Sequence, residues 1–338
     1  VTMSHLRFGK KPIKSTYLIR QANFVACHNP SYIDKYNMVQ ELVDGGTFLL
    51  NCPWDAEGLD KHLPGQVKAF IANHGIKFYT IDGIKIGKEI GLGGRINTVL
   101  QSAFFKLAAI IPEEEAIDLM KKAAKATYGR KGDKIVQMNY DAIDAGAKQV
   151  VEITVPESWK DAADEGLTTP HVNEKGKREI VDFVKNIQAK VNAQEGNSLP
   201  VSAFKDYVDG STPSGTSAYE KRGIAVDIPM WKPENCIQCN RCAYVCPHAV
   251  IRPVALTEEE AAKVPEGFQT IDMVGMPNMK FAITVSAYDC TGCGSCVNVC
   301  PGKKNKESSC YGEHGSKCRR TGILRLWQRD PCKTGSCN

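Results

Sequence analysis

The sequence lacks the features that attach a chain to membranes or export it. It contains no apolar run of about 18 residues or more, and a bilayer-spanning helix needs roughly 20. Residues 1–8 (VTMSHLRF) contain no apolar core of a secretory signal peptide, so no export signal is indicated. Because these residues also lack an initiating methionine, we expect the chain to be the interior of a longer protein.

The sequence also lacks a basic surface of the kind that binds nucleic acid. The formal net charge is +5 at pH 7. Nine Lys/Arg and three Asp/Glu after residue 302 give this tail a charge of +6, which leaves −1 for residues 1–302. Since the positive charge is confined to the tail, no nucleic-acid partner is predicted.

A dinucleotide-binding fingerprint of the form G-x-G-x-x-G is missing as well. A different glycine turn precedes a predicted helix over 95–111. Backbone N–H groups at a helix N-terminus can bind phosphate, so this turn is a candidate anion site; the alternative is a purely structural turn. The candidate residues are Gly91, Gly93, Gly94 and Arg95.

What the sequence does contain is a repeated cysteine pattern, C-x2-C-x2-C-x3-C-P. This is the spacing with which bacterial-type ferredoxins hold two [4Fe–4S] clusters, the fourth cysteine of each run reaching the other cluster. Iron in such a cluster requires one thiolate for each metal corner. On this rule the first cluster is bound by Cys236, Cys239, Cys242 and Cys300, and the second by Cys290, Cys293, Cys296 and Cys246.

Zinc is the alternative occupant, because a single C-x2-C pair is a common half of a zinc site. Two complete runs, each followed by a proline (Pro247 and Pro301), favour clusters. The chain has 14 cysteines. Oxygen-sensitive cluster cysteines without a secretion signal indicate a reducing compartment rather than a disulfide scaffold. Cys27 and Cys52, at predicted strand ends, are expected to be small buried residues.

The first half of the chain alternates predicted strands and helices, which implies a largely parallel sheet covered on both faces. Strands are predicted at 23–27, 47–51 and 77–81, and helices at 32–43, 59–73, 95–111, 113–128 and 133–146. The turn-rich segment that follows carries one predicted helix at 179–191 and reads as a connector. Two further strands are predicted between the cysteine runs, at 268–271 and 281–285.

Together these residues resemble pyruvate:ferredoxin (flavodoxin) oxidoreductases over about residues 1–302. The resemblance is carried by both cysteine runs and by several shorter stretches. These stretches are VTMSHLRFG (1–9), FVACH (24–28), GGTFLLNCPW (45–54), GRINT (94–98), QSAFFK (101–106) and SAYEKRGI (217–224).

The resemblance implies an α/β gamma-type domain with a largely parallel sheet, an irregular connector and an α+β ferredoxin-like domain with two clusters. The implied boundaries are 1–155 for the gamma-type domain, which would be incomplete at its N-terminus, 156–231 for the "EKR" connector and 232–302 for the cluster domain. Residues 303–338 depart from the family pattern and are expected to be disordered or frameshifted. A further metal module, using Cys310, Cys318, Cys332 and Cys337, and a natural extension are the alternatives.

The activity implied is oxidative decarboxylation of pyruvate to acetyl-CoA and CO2, with electrons relayed through clusters to ferredoxin or flavodoxin. Thiamine diphosphate, Mg2+ and a further [4Fe–4S] cluster are expected only in the full-length enzyme, implied to be a homodimer in the cytoplasm or in an anaerobic organelle. The chain alone is expected to be inactive. Through this resemblance, Gly91, Gly93, Gly94 and Arg95 become candidates for binding a phosphate of CoA. The rival readings are a stand-alone ferredoxin-like carrier and a non-catalytic truncated product.

Overall fold

A computed structural model describes residues 3–14, 17–163, 176–220, 222–225, 227–302 and 311–312. The chain divides into two compact units, residues 1–169 and residues 170–338. The four-part division expected from the sequence stays a prediction. The tail cysteines Cys310, Cys318, Cys332 and Cys337 lie outside the described residues.

The first unit is built on a four-stranded sheet in the order β1-β2-β3-β4, within its described residues. The first three strands are parallel and the fourth is antiparallel, which confirms the largely parallel sheet. The strands are β1 (Ala22–Cys27), β2 (Leu42–Asn51), β3 (Lys77–Ile81) and β4 (Val151–Ile153). The helices are α1 (Ala56–His62), α2 (Gly65–Asn73), α3 (Gly83–Ile90), α4 (Asn97–Ala108), α5 (Glu113–Tyr128) and α6 (Asp133–Lys148), with 3-10 turns at Pro30–Tyr32, Gly129–Lys131 and Glu157–Asp161.

Both faces of this sheet are buried, because successive side chains of a strand point to opposite faces. Phe48 and Leu50 of β2 pack into a core that includes side chains of α1 and α2. Leu49, between them, packs on the other face with residues of α3, α4 and α6. The continuous apolar run in β2 therefore reflects a strand covered on two sides.

The predicted helix over 32–43 is wrong. Only a 3-10 turn at Pro30–Tyr32 forms there, and β2 begins at Leu42. The two glycines expected to end the helix lie inside the strand. Gly45 has a φ of +69°, and a Cβ on Gly46 would lie 2.8 Å from the Val43 carbonyl oxygen. The glycines therefore permit an irregular strand rather than a helix end.

The predicted helix over 59–73 is two helices, because Pro64 interrupts it. Leu63 is extended (φ −77°, ψ 130°), as is usual before a proline, and α2 begins after Pro64.

The sequence did not predict helix α3 (Gly83–Ile90). Both ends of α3 have common capping residues. At the N-terminus, the Asp82 side chain accepts a hydrogen bond from the Lys85 N–H, and at the C-terminus Gly91 is left-handed with a φ of +89°.

Cys27 and Cys52 are buried as expected, with exposed fractions of 1% and 4%. Burial raises the pKa of the Cys27 thiol to about 12 and that of Cys52 to about 11. Because the thiolate is the reactive form, these two cysteines are protonated and therefore unreactive at neutral pH.

The second unit joins a helical segment to a small sheet with the cysteine runs. The helical segment is continuous through α7 (Arg178–Phe183), a π-helical turn (Val184–Gln188) and α8 (Ala189–Asn192), in agreement with the predicted helix. It is followed by 3-10 turns at Gly196–Ser198, Val201–Tyr207, Thr216–Tyr219 and Pro233–Asn235. The remaining elements are β5 (Met230–Trp231), α9 (Arg241–Val245), β6 (Ile251–Thr257), α10 (Glu258–Ala261), β7 (Ile271–Asp272), β8 (Met279–Val285), α11 (Ser295–Asn298) and β9 (Tyr311–Gly312).

The sheet between the cysteine runs is antiparallel, in the order β6-β8-β7. The strand predicted at 281–285 is confirmed within β8, whereas of the one predicted at 268–271 only Ile271 is in a strand. Strand β6 was not predicted; it contains Pro253, which an edge strand tolerates. In the described part of the chain, every helix is too short or too polar to cross a bilayer.

Helices α4 and α6 of the first unit pack closely through Gly146. A Cβ at this position would lie 2.2 Å from the Val99 carbonyl oxygen. We expect Gly146→Ala to destabilise this unit by about 1–3 kcal/mol, because the clash outweighs alanine's better helix propensity. Loss of amide protection in α4 and α6, measured by hydrogen exchange, checks this locally.

The matched control for this substitution is Gly129→Ala. Gly129 has a helical φ of −53°, and an added Cβ meets nothing within 4 Å. Its exchange pattern should match that of the unsubstituted chain, or show slightly more protection. Equal effects of the two substitutions would contradict the close-packing argument.

Candidate metal centre

The two cysteine runs fold into loops with the same backbone conformation. In each loop the residues on either side of the middle cysteine are left-handed. Gln238 (φ +57°) and Asn240 (φ +56°) flank Cys239, while Gly292 (φ +69°) and Gly294 (φ +74°) flank its counterpart. Such a conformation is favourable for glycine and tolerated by asparagine, and it turns the chain tightly enough for three cysteines to share one side.

Both loops direct a backbone N–H group at the first cysteine sulfur. The Gln238 N–H donates to Cys236 Sγ at 3.4 Å, and the Gly292 N–H donates to Cys290 Sγ at 3.3 Å. A short helix, α9 or α11, follows each loop and carries the third cysteine. The internal repeat of the sequence is thus a repeat of local structure, including its hydrogen bonds.

A cavity beside the first loop brings together cysteines from both runs. Three of them belong to the first run, and the fourth, Cys300, closes the second run some sixty residues later. The lining residues are Trp231, Cys236, Ile237, Cys239, Asn240, Cys242, Ile283, Cys300 and Pro301. The four cysteines predicted for the first cluster therefore line one cavity.

The other four cysteines are placed around the same hydrophobic core. Cys290 and Cys296 are buried in it, and Cys246 packs against it partly buried. The Val250 N–H donates to Cys246 Sγ at 3.4 Å. Cys293 is exposed, as is Cys239 in the first run. Each loop thus presents its middle cysteine to solvent and buries its third.

The local electrostatics differ between these thiols. Burial raises the pKa of Cys296 to about 11, and the neighbouring Cys290 and Cys293 add to the effect. A hydrogen bond with the Ser295 hydroxyl lowers the pKa of Cys293. Because a metal binds the thiolate, a cluster here must displace the proton of Cys296.

The donor set fits iron–sulfur clusters. Within the described ranges, no three His, Cys, Asp or Glu side chains converge on a point where one metal ion could sit. The thiolates of a cubane have no need to do so, since each binds a different iron. None of the ten cysteines in the described ranges is in a disulfide. The four that line the first cavity are therefore available as ligands.

Residues near the end of the connector pack against the second cysteine loop. Ala225 is buried in the core of this region, and the Gly223 N–H donates to the Tyr288 carbonyl oxygen at 2.7 Å. A Cβ on Gly292 would lie 3.1 Å from the Asp227 carbonyl oxygen and 3.4 Å from Ala225 Cβ. The connector therefore packs closely against the loop at Gly292, where a side chain would force its neighbours to shift.

The glycine turn proposed to bind a phosphate does not begin a helix, which corrects one premise of that prediction. Gly91 ends α3, and α4 begins only at Asn97. The amides of Gly91 and Gly93 donate to carbonyls at the end of α3, and the Arg95 amide donates to the Leu92 carbonyl oxygen. Gly94 lies between Gly93 and Arg95. The C-terminal end of a helix carries partial negative charge, which does not attract phosphate. The assignment to CoA remains an untested prediction with less geometric support.

Sequence reasoning missed three residues of the first site. Gln238 and Asn240 occupy positions at which the second run has glycines, and aligning the two runs would have indicated their left-handed conformation. The Gln238 side chain also donates a hydrogen bond from Nε2 to the Asp272 carbonyl oxygen (2.7 Å) and accepts one at Oε1 from the Val274 N–H (2.9 Å). These bonds connect the loop to β7 and the residues after it. The placement of Trp231 in the cavity had no signal in the spacing.

Comparison with known families finds three matching regions along the chain. Residues 1–149 match the family described as pyruvate ferredoxin/flavodoxin oxidoreductase. Residues 170–225 match the EKR family, described as a domain of unknown function. Residues 235–304 match a 4Fe-4S dicluster domain.

Comparison with individual proteins finds relatives that are much longer. The chain is 52% identical to the pyruvate:ferredoxin oxidoreductase of Moorella thermoacetica, covering 90% of this chain and 25% of that protein. It is 48% identical to the pyruvate-flavodoxin oxidoreductase of Enterobacter agglomerans, with the same coverage. It is 44% identical to the pyruvate-flavodoxin oxidoreductase of Klebsiella pneumoniae, again over 90% of this chain and 25% of the relative. The chain thus spans about a quarter of the length of these relatives.

The three family regions follow one another in the order expected from the sequence. The cysteine runs lie within the dicluster region, and the mainly parallel sheet lies within the oxidoreductase region except for its edge strand β4. Residues 1–149 therefore match the pyruvate ferredoxin/flavodoxin oxidoreductase family, and over 90% of its length the chain is similar to relatives with that name; its last matched region is a 4Fe-4S dicluster domain.

Proposed function

We propose that this chain is the electron-transfer segment of a pyruvate:ferredoxin/flavodoxin oxidoreductase, and that it binds two [4Fe–4S] clusters. The observation that carries the proposal is the cavity in which Cys236, Cys239 and Cys242 meet Cys300. Four thiols on one cavity are the ligand number that a cubane requires. The repeated loop geometry supports the same role for the second run.

The ligand sets are crossed between the two runs. Cys300 completes the first cluster, and Cys246 completes the second, which Cys290, Cys293 and Cys296 hold from their own loop. A bound cubane supplies storage for a single electron. The protein contributes thiolates, N–H groups aimed at sulfur, and a hydrophobic core that limits water.

Electron exchange requires that a partner approach the clusters, and the exposure of the middle cysteines supports such an approach. Cys239 and Cys293 are exposed, whereas Cys242 and Cys296 are 8% and 7% exposed. The ferredoxin or flavodoxin in the relatives' names is the acceptor we propose for this chain. We propose that the chain is located in the cytoplasm or in an anaerobic organelle.

In the whole enzyme, this segment would serve oxidative decarboxylation of pyruvate with formation of acetyl-CoA. Thiamine diphosphate, Mg2+ and a further cluster would be held by other parts of a homodimer, since this chain spans a quarter of its relatives. A contribution of Gly91, Gly93, Gly94 and Arg95 to CoA binding stays part of the proposal. A stand-alone electron carrier is the competing function.

Anaerobic reconstitution tests the proposal. The chain should take up about eight irons and eight sulfides, corresponding to two cubanes. After reduction and removal of excess reductant, the chain should reduce ferredoxin or flavodoxin, and the absorbance of the acceptor measures this transfer.

The chain should not oxidise pyruvate, even with CoA, thiamine diphosphate and Mg2+. Failure to bind iron would refute the electron-transfer role. Pyruvate-dependent dye reduction by the pure chain would contradict the placement of the pyruvate chemistry elsewhere.

The crossed ligation predicts different results for two cysteines that are close in sequence. Cys242→Ala should damage the first cluster, whereas Cys246→Ala should damage the second. Iron content and the EPR spectrum of the reduced protein distinguish the two, with Cys300→Ala and Cys290→Ala as references for loss of each cluster. If Cys246→Ala reproduces Cys300→Ala, the crossed assignment is wrong.

The packing behind the second loop predicts a contrast between two glycines. Gly292 and Gly294 both have positive φ values, so an alanine at either position costs about 1–2 kcal/mol. Only Gly292 also lacks room, because of the Asp227 carbonyl oxygen at 3.1 Å; a Cβ on Gly294 meets nothing within 4 Å. Gly292→Ala should therefore lose more of the second cluster's iron than Gly294→Ala after identical reconstitution. Equal iron losses in the two variants would show that the positive φ, and not the close packing at Gly292, determines the effect of the substitution.

A further inference from the structure

One side chain in the first cavity is a buried hydrogen-bond donor. Trp231, in β5, lies five residues before the first cysteine run and is 9% exposed. Its ring packs edge-on against Phe281 of β8, with centroids 6.2 Å apart and an interplanar angle of 70°. The same side chain lines the cavity that holds Cys236, Cys239, Cys242 and Cys300.

The indole nitrogen of this tryptophan is buried without an acceptor. Trp231 Nε1 makes no hydrogen bond to any described residue. Another buried tryptophan of the chain is satisfied, since Trp159 Nε1 donates to Asp60 Oδ1 at 2.9 Å. An indole N–H can only donate, and a buried tryptophan usually finds a partner. An unpaired donor therefore points to an acceptor that fills the cavity.

The acceptor that suits this cavity is sulfur. The four cysteines that line it are the ligands proposed for the first cluster, whose sulfide and thiolate sulfurs accept hydrogen bonds. Asn240 Oδ1 is also buried on this cavity without a partner among the described residues, and it is the competing acceptor. Donation to the cluster and donation to Asn240 have different spectroscopic consequences.

The second run has no tryptophan at the equivalent position. The residue five positions before Cys290 is Val285, the last residue of β8, which carries no polar group. The Gln238 and Gly292 N–H groups donate alike to the first cysteines of their runs, and Cys246 of the second ligand set also accepts from the Val250 N–H. Trp231 and Val285 therefore mark a side-chain difference between the two runs. Hydrogen bonds to sulfur are one of the features that set the reduction potential of a cluster.

We infer that the Trp231 indole N–H donates to a sulfur atom of the first cluster and raises the reduction potential of that cluster. The inference rests on the proposed function, because it requires that the clusters assemble. A hydrogen bond stabilises the more negatively charged, reduced state. Trp231 thus tunes the potential of the first cluster through a side-chain hydrogen bond.

Nitrogen coupling to the reduced cluster tests the hydrogen bond directly. The full chain is prepared with tryptophan labelled with 15N in the indole ring, reconstituted, and fully reduced. Pulsed EPR should show a 15N coupling, because the labelled nitrogen is hydrogen-bonded to the reduced first cluster. The coupling should vanish in Trp231→Phe and persist in Trp54→Phe.

Redox titration gives a second, independent readout. Trp231→Phe should shift one of the two potentials to a more negative value and leave the other unchanged. If phenylalanine prevents folding, β-(3-benzothienyl)alanine at position 231 keeps the shape of the indole and removes only the N–H group. Clusters that assemble without any 15N coupling, or with unchanged potentials in the benzothienyl variant, would overturn the inference alone. Absence of clusters in the unsubstituted chain would overturn it together with the proposed function.

Discussion

The cluster domain depends on bringing several thiols to one point along a very short stretch of chain. Two residues separate successive cysteines, so the backbone must turn sharply on both sides of the middle one. It does so with left-handed residues in both loops, at Gln238 and Asn240 in one and at Gly292 and Gly294 in the other. The same turn aims an N–H group at the first sulfur. Ligand convergence and hydrogen bonding to sulfur therefore come from a single backbone conformation.

Around these loops, cysteines form part of the hydrophobic core of the region. Cys242, Cys290 and Cys296 are among its buried residues, together with aliphatic and aromatic side chains of β5, β6 and β8. Burial raises the pKa of Cys296 to about 11, so without a metal this thiol holds its proton. A cluster must displace that proton and also fill the space between the loops. Metal binding and folding are consequently coupled, as in other small metal-binding domains.

The first unit has a different physical basis, because apolar side chains cover both faces of its sheet. Phe48 and Leu50 face one helical layer, and Leu49 faces the other. Gly146 allows α4 and α6 to approach closely enough to cover the second face. A substitution in this unit should act through packing, whereas one in the cluster domain acts through metal occupancy as well.

Local information in the sequence was sufficient for the cysteine spacing, for strands such as β3, and for helices such as α5, because each depends on neighbouring residues. It failed at residues 32–43, since apolar periodicity in a short window cannot show that Leu42 pairs with β1. It also could not show that the Gly91 turn ends one helix instead of beginning the next. The ferredoxin spacing already assigned Cys300 to the first cluster, and the tertiary structure shows that it lines one cavity with Cys236, Cys239 and Cys242. Only the tertiary structure shows that the Trp231 N–H lacks an acceptor in the described protein. That fact depends on which distant side chains surround the indole, and residue spacing carries no information about it.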